Sequence, residues 1–126
     1  MNPVEVQLAE LRRVYGDGAS VRPMPGGAQL ITIPEVKLLP GWSKPETSIR
    51  FVAPVGYPFA APDCFWADPD LRLQNGGEPQ ASNGQAVPEL NEAGRWFSWH
   101  VQNWNPNQNN LVTYAKIIEQ RLREVR

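Results

Sequence analysis

Cysteine and histidine occur once each in the 126 residues. A single cysteine excludes an internal disulfide framework and a cysteine-rich zinc site. A single histidine leaves too few ligands for the usual zinc sets. No metal and no cofactor are expected on these grounds. Charge of neither sign dominates, with 12 basic and 13 acidic side chains. Such a balance offers no basic surface to nucleic acid or to an anionic membrane. No apolar run reaches the roughly 20 residues that cross a bilayer. The opening MNPVEVQLAELRR has no basic segment followed by an apolar one, so no signal peptide is expected. These absences point to a reduced, cytoplasmic protein. What the chain does hold is 41% hydrophobic residues and five tryptophans, enough for one globular domain over residues 1–126.

The first periodic segment predicts a helix. Pro3 suits a first helical turn, where its missing N–H is not needed. Val4, Leu8, Leu11 and Tyr15 recur at helical spacing until GDG at 16–18 stops the pattern. From Val21 the character changes to β. AQLITIPEV and TSIRFVAPV predict strands with Ile31, Ile33, Ile49, Phe51 and Val52 buried. A third strand is expected around DCFWA, with Cys64 inside it as a small buried hydrophobe. The connections are too short for crossover helices, so the strands form an antiparallel meander. Residues 67–95 show neither period and read as a long loop, functional or partly disordered. A last helix is predicted from about Asn109 to Val125, with Leu111, Tyr114, Ile118, Leu122 and Val125 as its apolar stripe. The fold class is α+β: N-terminal helix, meander, long loop, C-terminal helix.

Within that order, Tyr57, Pro58, Phe59 and Pro62 stand just ahead of the third strand. Trp104, Asn105 and Pro106 stand just ahead of the last helix. This arrangement resembles the ubiquitin-conjugating (UBC) fold family, in which a Tyr-Pro-Phe-x-x-Pro segment and a Trp-x-Pro occupy those places. LPGWSKPETSIRFVAPVGYPFAAPDCFW together with WFSWHVQNW is most similar to the bacterial UBC-like proteins of ubiquitin-like conjugation operons. The resemblance implies two partners, a ubiquitin-like protein and its activating enzyme. It also implies docking of the activating enzyme on the first helix, where Arg12 and Arg13 become candidate contacts.

The family carries the ubiquitin-like C-terminus as a thioester on a cysteine that follows His-Pro-Asn. This chain has neither that motif nor a cysteine in that region. Cys64 lies earlier, and its neighbours Phe65 and Trp66 supply no activating charge. The expected region reads NGGEPQASNG. Ser82 falls about where the family's cysteine would, with Asn83 beside it as an oxyanion donor. A serine needs a base, and His100 is the one histidine that can serve as base or amine activator. Ser98 would share its face if the segment is extended. The plainer reading makes Ser82 a loop serine and packs His100 on the tryptophans. Trp96, Phe97, Trp99 and Trp104 cannot all face one side of a strand. At least one ring of that cluster is then exposed and suits a binding surface, whereas Tyr57 and Phe59 can pack back onto the sheet. Tyr57, Phe59, Trp99 and Trp104 are the candidate binding residues.

Three functions are compatible with this pattern. The chain is a UBC-like binding or scaffold protein that lacks the usual cysteine. Alternatively, it is an active conjugating enzyme that forms an oxyester with Ser82 and His100. A third possibility is an unrelated module that binds peptides in an aromatic groove.

Overall fold

The structure, a computed structural model, describes residues 2–126. The first helix, α1, covers Pro3–Tyr15. Asn2 caps it by accepting the Glu5 N–H at 2.9 Å, which satisfies one of the free amides of the first turn. It ends at Gly16, whose φ of +101° suits glycine. Six strands follow: β1 (Ser20–Pro23), β2 (Gln29–Lys37), β3 (Glu46–Ala53), β4 (Phe65–Ala67), β5 (Ser82–Gly84) and β6 (Arg95–Phe97). The last element is helix α2, Leu111–Leu122. The strands form one antiparallel sheet in the order β1-β2-β3-β4-β6-β5.

The alternation of side chains divides the sheet into two apolar faces. Ile31, Ile33, Ile49, Phe51, Phe65 and Phe97 point to the inner face, beneath α1 and α2. There Phe65 stacks on Phe97 with ring centroids 4.7 Å apart, and Phe51 meets Tyr114 of α2 at 5.1 Å. Leu30, Trp66 and Met24 point the other way and pack with Val52, Leu90 and Trp96 around Val87. Val52 is thus half-buried on the outer face, not in the inner core as the sequence pattern predicts, because it alternates with Phe51.

The long segment before β6 supplies the cover for that outer face. Val87 is fully buried. The Trp66 indole donates to the Gln85 carbonyl at 3.1 Å, and the Glu89 carboxylate accepts the Gly26 N–H. Glu92 bridges Arg22 and Arg50. A Cβ at Gly94 would come within 2.9 Å of Trp66, so this approach requires glycine. Residues 67–95 are therefore not only loop: they include strand β5, and the run from 85 to 94 straps the sheet. The C-terminal helix is shorter than the pattern predicts. Asn110 caps it, with a reciprocal bond to Thr113, and Val125 lies beyond its end. The four remaining stripe residues, Leu111, Tyr114, Ile118 and Leu122, are buried as expected.

Candidate active site

Three chain segments meet at one corner of the sheet. The first is Asp63–Cys64, where the proline-rich loop turns into β4. The second is Ser98–His100, where the chain leaves β6, and the third is the first turn of α2. Pairing of β4 with β6 sets the first two side by side, with Phe65 opposite Phe97. One step outward, the Cys64 N–H donates to the Trp99 carbonyl at 2.9 Å. The hydroxyl of buried Tyr114 reaches both segments, 3.0 Å from the Cys64 carbonyl and 3.3 Å from the Trp99 carbonyl. Burial raises the pKa of the Tyr114 phenol far above its ordinary value, so it stays a donor. Tyr114 thereby staples the two segments together from the helix.

At this corner His100 Nδ1 lies 2.5 Å from Asp63 Oδ1. A carboxylate accepts, so in the neutral ring the geometry assigns the proton to Nδ1 and leaves Nε2 with its lone pair. Nε2 faces the Ser98 hydroxyl at 3.5 Å. Asp63 and His100 are both exposed, at 65% and 56% of their side-chain surface, so the pair is open to a macromolecular ligand. Asp63 stands 37 residues before His100, and no local motif could have linked them. Alternation did place Ser98 and His100 on one face.

Cys64 is not inside a strand. It precedes β4 with φ of +62°, a left-handed conformation that costs a non-glycine residue about 1 kcal/mol or more. Charge also reaches it in space: the donor atoms of Asp63, Cys64 and His100 all lie within 4.8 Å of one another. The thiol remains a poor nucleophile. Burial raises its pKa and outweighs the lowering hydrogen bond with the Trp99 backbone; the Asp63 charge raises it further and Trp96 lowers it least. The same three donors are the set among the described residues that could hold a metal ion. Doing so would require the buried thiol to ionise.

Ser82 lies in β5 opposite Phe97, and its hydroxyl donates to the Pro79 carbonyl at 2.6 Å. It makes no hydrogen bond with His100. Asn83 is exposed opposite Trp96, so alternation gives it the strand face opposite to Ser82's. The Ser98 N–H donates to the Ala81 carbonyl at 2.8 Å, and this continues the pairing so that Asn83 lies diagonal to Ser98. Trp99 is half-buried and its ring meets the Arg121 guanidinium at 5.3 Å.

The proline-rich loop beside the corner is held by Trp104, whose indole donates to the Pro58 carbonyl at 2.7 Å. The Tyr57 hydroxyl donates to Gln7 of α1, and the Tyr57 and Trp104 rings lie 6.1 Å apart. These contacts anchor the loop, while Phe59 stands 82% exposed instead of packing back onto the sheet. On α1, the Arg12 Nε donates to the Ala19 carbonyl at 2.9 Å, so Arg12 ties down the following turn. Arg13 instead lines a groove between the helices with Glu10, Val14 and Lys116. Among the described residues, no helix is long and apolar enough to cross a membrane.

No curated protein and no solved structure matches the chain. A family model does, over residues 20–125, from β1 through the end of α2. With the α+β order of elements, the proline-aromatic loop ahead of β4 and the Trp-x-Pro ahead of the last helix, that match places the chain in Prokaryotic E2 family E, a family of bacterial UBC-like proteins.

Proposed function

We propose that this UBC-like protein is an atypical conjugating component that meets a ubiquitin-like protein and its activating enzyme without using a thiol. The observation that carries this reading is the exposed Asp63–His100 pair beside the chain's only cysteine, which is buried. An exposed carboxylate-oriented imidazole is suited to accept a proton from an attacking hydroxyl or amine. A buried thiol raised in pKa is not suited to carry a large acyl group. Phe59 is the docking residue for the ubiquitin-like protein, since a ring exposed to this extent contributes nothing to the core. Arg13 on α1 is the contact for the activating enzyme. Membership of the family removes the unrelated peptide-binding module.

A second reading, a binding or scaffold protein without chemistry, is supported by the absence of an exposed thiol. Titration calorimetry with the ubiquitin-like protein and the activating enzyme of its own pathway tests what the two readings share. Wild type should bind both. Phe59→Ser and Arg13→Glu should each weaken one interaction by about tenfold or more, which is about 1.4 kcal/mol, with thermal stability unchanged. Absence of binding to either partner would overturn both readings. Binding without any covalent adduct would favour the scaffold.

A further inference from the structure

We propose that Ser98 is the acyl-accepting residue of this protein, with His100 as its general base and Asp63 as the residue that positions the base. This deepens the conjugating reading above and, as far as the ubiquitin-like donor is concerned, rests on it. The expected nucleophile by sequence position, Ser82, has its proton committed to the Pro79 carbonyl at 2.6 Å. Ser98 has no such engagement; its hydroxyl faces His100 Nε2 at 3.5 Å, the acceptor nitrogen of the neutral ring when Nδ1 donates to Asp63. The order hydroxyl, Nε2, Nδ1, carboxylate is that of a serine triad, recognised by geometry and roles and not by sequence spacing. A separation of 3.5 Å is long for a hydrogen bond, yet such contacts commonly tighten only when substrate is bound.

The backbone around Ser98 is fixed. Its N–H is bonded to Ala81 across the β5–β6 pair, the next carbonyl is held by Cys64 and Tyr114, and Phe97 before it is fully buried. A nucleophile on such a frame needs little reorganisation. In the step, a thioester at the C-terminus of the ubiquitin-like protein, carried by the activating enzyme, is attacked by Ser98 Oγ. A C–O bond forms and the C–S bond breaks. The hydroxyl proton passes to His100 Nε2 and from there to the departing thiolate. The product is an oxyester on Ser98 and a free thiol on the activating enzyme. An amine can then take the acyl group from the oxyester, forming an amide and restoring the serine.

Two experiments on the full chain separate the residue assignment from the identity of the donor. In the first, the protein is incubated with p-nitrophenyl acetate and the modified peptide is mapped by mass spectrometry. Acetyl should appear on Ser98, be removed by neutral hydroxylamine, and form at least about tenfold more slowly in His100→Ala, since a general base contributes about 100-fold or more. Asp63→Asn should slow it less and change its pH dependence, as a positioning residue would. In the second, the activating enzyme, the ubiquitin-like protein and ATP replace the ester. The adduct should survive reductant in wild type, vanish in Ser98→Ala, and become reductant-labile in Ser98→Cys. Acetylation of Ser98 with no adduct from the partners would support the assignment of Ser98 and overturn the ubiquitin-like donor. An adduct mapped to Ser82 or Cys64 and not to Ser98 would keep the donor and overturn Ser98. No modification of Ser98 in either experiment, with variants and wild type equally folded by circular dichroism, overturns the proposal.

Discussion

Replacing Tyr114 with phenylalanine removes one oxygen atom and nothing else from the corner. The ring is fully buried and its volume is nearly kept, so the cavity contribution is close to zero. What is lost is the donor shared by the carbonyls of Cys64, at 3.0 Å, and Trp99, at 3.3 Å. The Trp99 carbonyl keeps the Cys64 N–H at 2.9 Å, whereas the Cys64 carbonyl loses this donor. A buried acceptor left unsatisfied costs about 1–3 kcal/mol. For a chain of this length 1 kcal/mol corresponds to about 4 °C in Tm, so the expected drop is about 4–12 °C. Thermal unfolding followed by circular dichroism measures it. Hydrogen exchange adds a local readout, because the Cys64 amide should exchange faster once the staple is gone. A Tm within about 1 °C of wild type and unchanged exchange at Cys64 would refute the idea that Tyr114 holds the two segments together.

The strap over the outer face is tested by Val87→Ala, expected to cost about 2 kcal/mol in denaturant unfolding because Val87 is fully buried in one cluster with Met24, Leu30 and Trp66. A change below about 0.5 kcal/mol would mean that the strap does not pack there. Asp68 accounts for part of the acid sensitivity. Burial alone would raise its pKa, but hydrogen bonds from Lys44 and Ser48 outweigh it and leave the carboxyl below its ordinary value. A lowered folded pKa stabilises the fold above the unfolded aspartate value of about 3.9 and loses that contribution as pH falls through the folded value. Asp68→Asn should therefore cost about 1–2 kcal/mol near neutrality and make stability less dependent on pH below about 4. An unchanged acid limb would contradict this. Cys64 should react with a disulfide reagent at pH 8 at least about tenfold more slowly in the native protein than in denaturant; equal rates would show that the thiol is accessible.

Local periodicity made much of the fold legible. The stripe from Val4 to Leu11 and that from Leu111 to Leu122 each face one core, so their spacing carries the helix signal undiluted. The strands were harder, because both faces of this sheet are apolar. Leu30 and Val52 point outward yet pack under the strap, and alternation then no longer distinguishes inside from outside. Strand β5 reads Ser-Asn-Gly, a turn sequence by propensity, and is a strand only because β6 offers it an edge. The candidate site was half legible. His100 stood out as the one histidine, and Ser98 followed from alternation. Asp63 did not, since its meeting with His100 depends on the β4–β6 pairing. Nor could a left-handed Cys64 be read from its type, because cysteine has no preference for that conformation.

Whether this UBC-like chain carries an acyl group without a thiol, as proposed, is measured most directly by a charging reaction resolved with and without reductant. Purified chain, the activating enzyme and ubiquitin-like protein of its pathway, and ATP are combined and separated on denaturing gels. The expected product is an adduct that persists in reductant and is cleaved by neutral hydroxylamine. An adduct lost on reduction, and absent from Cys64→Ser, would contradict it and make the buried cysteine the carrier.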